Sequence, residues 1–294
     1  MIMATLRYVP ELGRRPGAFD IVGALTSTVG ATALVYGFIR AATAGWADVI
    51  ALGSFAGAAI LLVAFVVNEW RVAQPIMPLR LFASRERTGA YVARFLFLAA
   101  MIGFFFFTTL YLQRVLGLSP AATGMAFLPM TLVNFVVAMA VPPLTRRFGN
   151  GRLLGLGLST SVVGLAWLSR ATLGTDYLTG VALPMALIGI GQGLALSPMT
   201  SAGVAGVDGA DAGAASGVLN VFHQMGNSLG LAVLIALAQS GAGGLSGAAL
   251  LAHRFTIALT GATGFMALAV VVVMALIVRL CPAAGERGGK VVVQ

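Results

Sequence analysis

Charged side chains are scarce in this chain of 294 residues. Asp, Glu, Lys and Arg make up 9% of it, whereas soluble globular domains carry about 25%. Hydrophobic residues make up 59%, and the mean hydropathy is +0.97. A water-soluble core does not require so much apolar surface. The composition therefore excludes a soluble domain and predicts that the lipid bilayer is the solvent and first partner of the chain.

Cysteine and clustered ionisable residues are also lacking. The single cysteine, Cys281, excludes an intrachain disulfide and a cysteine metal cluster. The two histidines and nine acidic residues form no group with the spacing of metal ligands or of a catalytic triad. The sequence therefore predicts no catalytic residues, no metal and no cofactor, and it argues against an enzyme.

Basic residues outnumber acidic ones by 18 to 9. They are spread over short segments between apolar stretches, and nucleic-acid binding would require them to cluster on one face. With a cytoplasmic N-terminus, thirteen lie in inside segments, four lie outside, and Arg94 lies within a span. Because cytoplasmic loops of membrane proteins are rich in Lys and Arg, we predict a multi-pass protein of the inner or plasma membrane with both termini cytoplasmic. Nucleic acid is excluded as a partner.

Apolar stretches of membrane-spanning length occupy most of the chain. Crossing a hydrocarbon core of about 30 Å takes about 20 helical residues. The predicted fold class is therefore an all-α integral membrane protein with eight transmembrane helices. These are 18–39, 49–67, 91–112, 121–144, 153–168, 178–197, 214–238 and 255–280.

Pairs of glycines at four-residue spacing recur inside the predicted spans. In lipid, such pairs allow helix backbones to approach closely, so they predict helix packing and not a ligand site. The pairs are Gly53 and Gly57, Gly151 and Gly155, Gly189 and Gly193, Gly213 and Gly217, and Gly226 and Gly230.

Two ionisable residues lie within predicted spans. Arg94 is about six residues into the third span, where it either extends its side chain to the interface or faces a wet cavity. His223 is a third of the way into the seventh span, where it is either a proton or substrate partner or a hydrogen-bonded packing residue. Both are candidate cavity residues.

Uncharged polar side chains extend this candidate cavity. Asn220, His223, Gln224 and Asn227 recur at helical spacing and form one polar stripe on an apolar helix. Facing lipid would be unfavourable, so the stripe faces either a water-filled cavity or other helices. Asn134 and Gln192 are isolated polar residues of the fourth and sixth spans and are expected to point the same way.

Acidic residues are missing from the middle of every span. All nine lie at or beyond a span end: Glu11, Asp20, Asp48, Glu69, Glu86, Asp176, Asp208, Asp211 and Glu286. A proton-driven carrier needs an intramembrane group that titrates. If the protein couples to protons, the acid is expected elsewhere.

Four stretches carry a resemblance to a known family. LYLQRVLGLSPAATGMAFLPMTL at 110–132, DAGAASGVLNVFHQMGNSLGLAV at 211–233, PLTRRFGNGRLLGLG at 143–157 and PELGRRPGAFDIVGALTSTVG at 10–30 resemble the major facilitator superfamily, specifically its fourteen-span multidrug (drug/proton antiporter) branch. The resemblance covers essentially the whole chain.

The resemblance implies a domain organisation. Members of this branch have six helices, an inserted pair and six more, and this chain corresponds to the last eight spans. We expect a cytoplasmic leader or linker at 1–17, an inserted helix pair at 18–67, a cytoplasmic interfacial loop at 68–88, a six-helix C-terminal half at 89–280 and a cytoplasmic tail at 281–294. The interfacial loop is either a helix or extended segment on the membrane surface or a solvated loop.

The loop motif of the superfamily is only partly present. Arg147 and Gly149 are retained, but Arg146 stands where the family prefers Asp. These three residues form a remnant of the motif. The changes weaken the expectation of a gating role for this loop.

Two functional hypotheses follow. The first is part of a proton-coupled multidrug efflux antiporter for lipophilic or cationic compounds, whose partners are a small-molecule substrate, protons, and a first six-helix half or a second copy of the chain. The phenylalanine run at 104–107, Met125 and Met130 would then be further cavity lining or packing residues. The second is a truncated, non-transporting membrane protein or a scaffold that needs a partner half.

Overall fold

The computed structural model describes residues 20–72, 75–209, 211–239 and 243–278. These residues form nine α-helices and, within the described ranges, no β-strand. The helices are α1 Ile21–Ala44, α2 Val49–Arg71, α3 Arg85–Arg114, α4 Pro120–Ala126, α5 Leu128–Phe148, α6 Asn150–Leu168, α7 Leu183–Gly203, α8 Ala212–Ala238 and α9 Gly247–Leu276. The predicted leader at 1–17, the tail at 281–294 and Cys281 lie outside the described residues.

Within the described residues, eight helical segments are long and apolar enough to cross a membrane, so the predicted fold class is confirmed. The fourth segment, Pro120–Phe148, combines α4 and α5. The sixth, Leu178–Gly203, combines α7 with a π-helical turn at Leu178–Ala182. The third begins at Arg85, earlier than the predicted 91, because Ser84 caps a polar first turn by accepting a hydrogen bond from the Arg87 backbone N–H.

Prolines account for both irregular spans. Pro129 has no N–H to donate to the Met125 carbonyl. The Phe127 N–H donates to the carbonyls of Met125 and Gly124 instead. The helix is therefore interrupted at Phe127. Pro184 lies just after the π-helical turn at Leu178–Ala182. Like Pro129, it lacks the N–H that would continue the regular ladder of backbone hydrogen bonds.

Helices α1 and α2 form a hairpin. Gly45 ends α1 at φ +96°, a conformation that favours glycine. Asp48 caps α2 by accepting from the Ala51 N–H at 3.0 Å, and its carboxylate also meets the Arg40 guanidinium at 3.1 Å. The hydrogen bonds from Arg40 and Ala51 lower the pKa of Asp48. The turn thus satisfies its polar groups locally.

The remaining helices form a compact bundle. Helix α3 packs against α8 and α9, α6 packs against α7 and α9, and α5 packs against α7. The core is apolar and aromatic: Phe104 is fully buried, and Tyr111 stacks on Phe255 with ring centroids 4.4 Å apart. Many outer positions are apolar and exposed, as expected for surfaces that contact lipid.

The packing prediction is confirmed for three glycine pairs and wrong for two. Side chains added at Gly53, Gly57, Gly213 or Gly217 would meet no neighbouring atom within 4 Å. The other pairs lie at close contacts, with Gly189 and Gly193 against α5, Gly226 and Gly230 against α3, and Gly151 and Gly155 against the end of α9 and the two residues after it.

Contacts near the helix termini define the two ends of the bundle. At the Arg80 end, where α2, α5, α7 and α9 finish, Arg80 pairs with Asp211 at 2.7 Å and Arg87 donates to the Ala205 carbonyl at 3.0 Å. At the opposite Tyr111 end, Tyr111 donates to the Thr172 carbonyl at 2.7 Å. Successive spans therefore run in alternating directions.

The described part of the predicted interfacial loop lies at the Arg80 end. It contains a 3₁₀ turn at Leu79–Ala83. Leu81 of this turn is buried against Tyr91 of α3 and Leu219 of α8. The turn therefore joins the six-helix bundle through an apolar anchor as well as through the Arg80–Asp211 pair.

Candidate substrate-binding site

Arg94 and His223 come together at a junction of three spans. Arg94 of α3 contacts Nδ1 of His223 on α8 at 3.1 Å through Nη2, and donates to Oγ1 of Thr200 on α7 at 3.3 Å through Nη1. Thr200 itself donates to the Leu196 carbonyl at 2.9 Å. These three side chains are called the Arg94 cluster below.

The contact fixes the form of the histidine. An arginine guanidinium has donors and no acceptor, so His223 Nδ1 accepts and the ring carries its proton on Nε2. The imidazole in this arrangement is neutral. A proton added at Nδ1 would remove the acceptor and place two positive charges side by side.

Aromatic packing holds the Arg94 cluster in place. Phe222, next to His223, stacks on Tyr91, one turn before Arg94, with ring centroids 5.7 Å apart. Phe82 meets the Tyr91 ring edge-on at 5.6 Å. Close by, Gly226 brings α8 against the α3 backbone. The helix contact that buries Tyr91 therefore also sets the distance between Arg94 and His223.

Arg94 has no carboxylate partner among the described residues. The ion pairs there are Arg40 with Asp48 and Arg80 with Asp211. The Nε of Arg94 is buried and makes no hydrogen bond. A guanidinium nine residues into α3, roughly 13 Å along the helix at about 1.5 Å per residue, is unfavourable in lipid unless polar groups or an anion compensate it. The cluster therefore has unused capacity to bind an acceptor.

The polar stripe of α8 divides between two neighbours. His223 faces α3, whereas Gln224 lies in a groove of about 480 Å³ that α8 forms with Tyr36 and other residues of α1. Asn227 donates to the Gln224 side chain at 3.3 Å, and Asn220 is exposed. The structure brings His223 together with Arg94 but leaves Asn220, Gln224 and Asn227 on the open side of α8.

Asn134 and Gln192 lie on neighbouring spans. Asn134 is on α5, and its backbone carbonyl contacts α7 at Gly193, the residue after Gln192. The side-chain oxygens of Asn134 and Gln192 are both buried without a hydrogen-bond partner. Such unsatisfied acceptors are uncommon, so each of these two amides keeps an acceptor available to a polar partner.

The aromatic and methionine candidates divide into core and surface. Phe104, Phe107 and Met130 are buried, with exposed fractions of 0%, 6% and 3%. Burial favours packing over lining of an open substrate cavity for all three, although Phe107 also borders a smaller cavity between α3, α8 and α9. Phe105, Phe106 and Met125 are exposed and are the members of this set that a ligand or lipid reaches.

The loop-motif remnant forms a one-residue turn between α5 and α6. Gly149 has φ +80° and ψ 154°, a conformation open almost only to glycine. Arg146 and Arg147 lie in the last turn of α5, where positive charge is favourable. The Arg147 guanidinium stacks over Phe148 at 5.4 Å. The described contacts of these residues account for a turn and not for a gate.

Two polar residues that the structure makes notable were not predicted as such from the sequence. Thr200 was inconspicuous because a lone threonine in an apolar helix usually bonds its own backbone. Glu69 was assigned to a span end, yet its side chain is buried: one oxygen accepts from the Met77 N–H at 2.9 Å and the other has no partner. Asp20 lies close to it and accepts from Asn68 at 2.6 Å. No group of three metal-ligand side chains occurs in the described ranges.

These features define a multi-pass helical membrane protein with a polar cluster inside its bundle. The sequence model of the Major Facilitator Superfamily matches residues 1–231. The chain therefore belongs to this superfamily, as its motifs predicted.

Curated relatives include export and resistance proteins. The chain is 37% identical to the cephamycin export protein CmcT of Amycolatopsis lactamdurans over 84% of this chain and 51% of that protein. It is 34% identical to the puromycin resistance protein pur8 of Streptomyces alboniger, over 96% and 59%. It is 32% identical to the multidrug resistance protein Stp of Mycobacterium tuberculosis, over 80% and 43%. The chain spans about half the length of the curated relatives it matches.

Proposed function

We propose that this chain forms part of a proton-coupled exporter of lipophilic small molecules, and that the Arg94 cluster belongs to its substrate pathway. The single observation that carries this proposal is an intramembrane guanidinium linked to a histidine and a threonine across three spans. Members of the superfamily are membrane transporters and not, in general, enzymes. The names of the curated relatives, which refer to export and resistance, support the outward direction.

The Arg94 cluster offers a simple means of coupling. Arg94 and a proton compete for Nδ1 of His223, because that nitrogen can accept only one of them. Protonation would release Arg94 toward another acceptor, such as a substrate oxygen. Binding and protonation would then alter the same contact between α3 and α8, so each would shift the balance between conformations that differ at this contact.

Cationic substrates set a further requirement. The Arg94 cluster carries positive charge, and every described acidic residue lies at or beyond a span end. Binding a cation at mid-membrane depth would therefore need carboxylates from residues that the structure does not describe or from a partner. We propose a first six-helix half as the source, because a second copy of the chain would bring the same acidic residues at the same span ends.

Export measurements on the intact transporter test this role. Arg94→Ala or His223→Ala removes a hydrogen bond to a charged group worth about 1.5–3 kcal/mol, so transport should fall by about tenfold or more. His223→Gln keeps an acceptor but cannot be protonated, so it should retain substrate binding and lose the dependence of transport on pH. His253, on α9 and outside the cluster, supplies the control His253→Ala.

The opposite result would favour the second hypothesis. Unchanged drug resistance in Arg94→Ala and His223→Ala, at normal expression and folding, would contradict a role of this cluster in transport. Absence of substrate binding by the wild-type protein as well would favour a non-transporting membrane protein or a scaffold.

A further inference from the structure

A second polar group without a partner lies at the Tyr111 end of the bundle. There α3, α8 and α9 enclose a cavity of about 220 Å³. Its walls are largely apolar and aromatic, with Phe106, Tyr111, Ile235, Leu251 and Phe255 among the lining residues. Arg254 of α9 also lines it. This space is called the Arg254 cavity below.

Arg254 is not neutralised within the described chain. Its Nε is buried and makes no hydrogen bond, and neither of the two described ion pairs includes it. Asp176, an acid at the same end, is held instead by the backbone N–H and hydroxyl of Thr179, at 3.0 and 3.1 Å. The cavity therefore contains a positive charge that its own walls do not compensate.

The apolar wall of the cavity is already in place. Tyr111 and Phe255 stack with their ring planes 25° apart, and the Tyr111 hydroxyl is engaged by the Thr172 carbonyl. The tyrosine therefore presents an aromatic face and no free polar group. A ligand would find a fixed aromatic surface beside a guanidinium.

These two features select a chemical class. A guanidinium pairs best with carboxylate or phosphate, whose two oxygens match its planar donors. The aromatic wall favours an alkyl chain or ring attached to that anion. Pockets that enclose whole drug-sized ligands usually measure about 300–1,000 Å³, so the smaller Arg254 cavity suits one end of an amphiphile whose remainder stays in the bilayer.

We propose that the Arg254 cavity binds the anionic headgroup and adjoining chain of an amphiphile, with Arg254 as the anion-binding residue. The site is separate from the Arg94 cluster: Phe107, another lining residue of the cavity, is thirteen residues from Arg94 on α3, roughly 20 Å at about 1.5 Å per residue. An anionic membrane lipid and a free amphiphile share this chemistry. The proposal stands independently of the export function.

Lipid retention by the intact protein tests the site. The protein is purified in nanodiscs of phosphatidylcholine with or without phosphatidylglycerol, and bound lipid is counted by native mass spectrometry. Wild type should retain phosphatidylglycerol about tenfold better than phosphatidylcholine. Arg254→Gln should abolish this preference, and Arg254→Lys should keep part of it because an ammonium lacks the planar fork.

Two further variants separate binding from folding. Leu251→Trp fills the apolar part of the cavity while Arg254 remains, so it should also reduce retention. Arg170→Gln removes an exposed arginine at the same end and should leave retention unchanged. Equal retention by wild type and Arg254→Gln, or loss of retention in Arg170→Gln alone, would overturn the proposal.

A soluble probe distinguishes the two sources. Dodecyl phosphate is added to the delipidated protein in detergent, with inorganic phosphate as the headgroup alone. Stabilisation by dodecyl phosphate that depends on Arg254 would support a site open to free amphiphiles. Lipid retention without stabilisation by dodecyl phosphate would support a membrane lipid as the occupant. Equal effects of inorganic phosphate and dodecyl phosphate would contradict an amphiphile site.

Discussion

Side-chain donors and acceptors determine what the Arg94 cluster does. Arginine cannot accept a hydrogen bond, so its contact with His223 requires a neutral ring with an unprotonated Nδ1. The residue types were evident in the sequence, but their pairing was not. Arg94 and His223 are 129 positions apart, and Arg94 and Thr200 are 106 apart. Only the packing of α3, α7 and α8 brings them together.

The Arg80–Asp211 pair gives the stability of the bundle a dependence on pH. Hydrogen bonding to Arg80 lowers the pKa of Asp211, so the unfolded chain takes up this proton at a higher pH than the folded one. The stabilisation is complete above the unfolded pKa of about 3.9 and is lost as the pH falls through the lower folded pKa.

Thermal melting in detergent checks this pH dependence. Asp211→Asn should have a lower Tm than wild type at pH 7, and the difference should shrink toward zero as the buffer becomes strongly acidic. In an Arg80→Gln background, Asp211→Asn should leave the Tm unchanged at every pH, since the carboxylate has already lost its partner. A constant gap between wild type and Asp211→Asn across the titration would contradict this account.

Whole helices were easier to predict than their interruptions. Eight spans followed from length and hydropathy, because lipid forces every buried backbone group into a helix. The break at Phe127 and the π-helical turn before Pro184 were not predicted. Pro129 and Pro184 were visible signals, but a proline in a span can also be accommodated without a break. Its effect depends on neighbouring helices that a single stretch of sequence does not specify.

Helices α6 and α7 approach most closely through glycine. A side chain added at Gly191 would lie 2.7 Å from the Ser161 backbone nitrogen and would also meet the Gly157 carbonyl. Gly191→Ala should therefore lower the free energy of unfolding by about 1–3 kcal/mol, as overpacking does in cores. Reversible unfolding in mixed micelles measures this difference.

Gly53 on α2 provides the matched control. An added side chain there meets no neighbouring atom within 4 Å, so Gly53→Ala should be neutral or should stabilise by about 0.5–1 kcal/mol through helix propensity. Equal losses in Gly191→Ala and Gly53→Ala would show that helix propensity, and not the α6–α7 contact, controls the result.

At the scale of the whole molecule, two faces of the bundle remain open. Exposed apolar residues follow one side of α5, including Leu132, Val136 and Met139, and exposed polar residues follow α8, including Asn220 and Gln224. Lipid suits the first face, whereas the second requires a polar environment. Helix α1 already borders part of this polar face at Gln224, and a partner half or a water-filled pathway would suit the rest.

Membrane orientation is the property of the whole molecule that basic residues predict most directly. The positive-inside bias predicts that the Arg80 end lies in the cytoplasm and the Tyr111 end outside. In a Cys281→Ser background, Leu173→Cys at the Tyr111 end should react with a membrane-impermeant maleimide in intact cells. Asp208→Cys at the Arg80 end should react only after permeabilisation. Leu158→Cys, at a buried position, should react in neither condition. Labelling of Asp208→Cys but not Leu173→Cys in intact cells would reverse the predicted orientation.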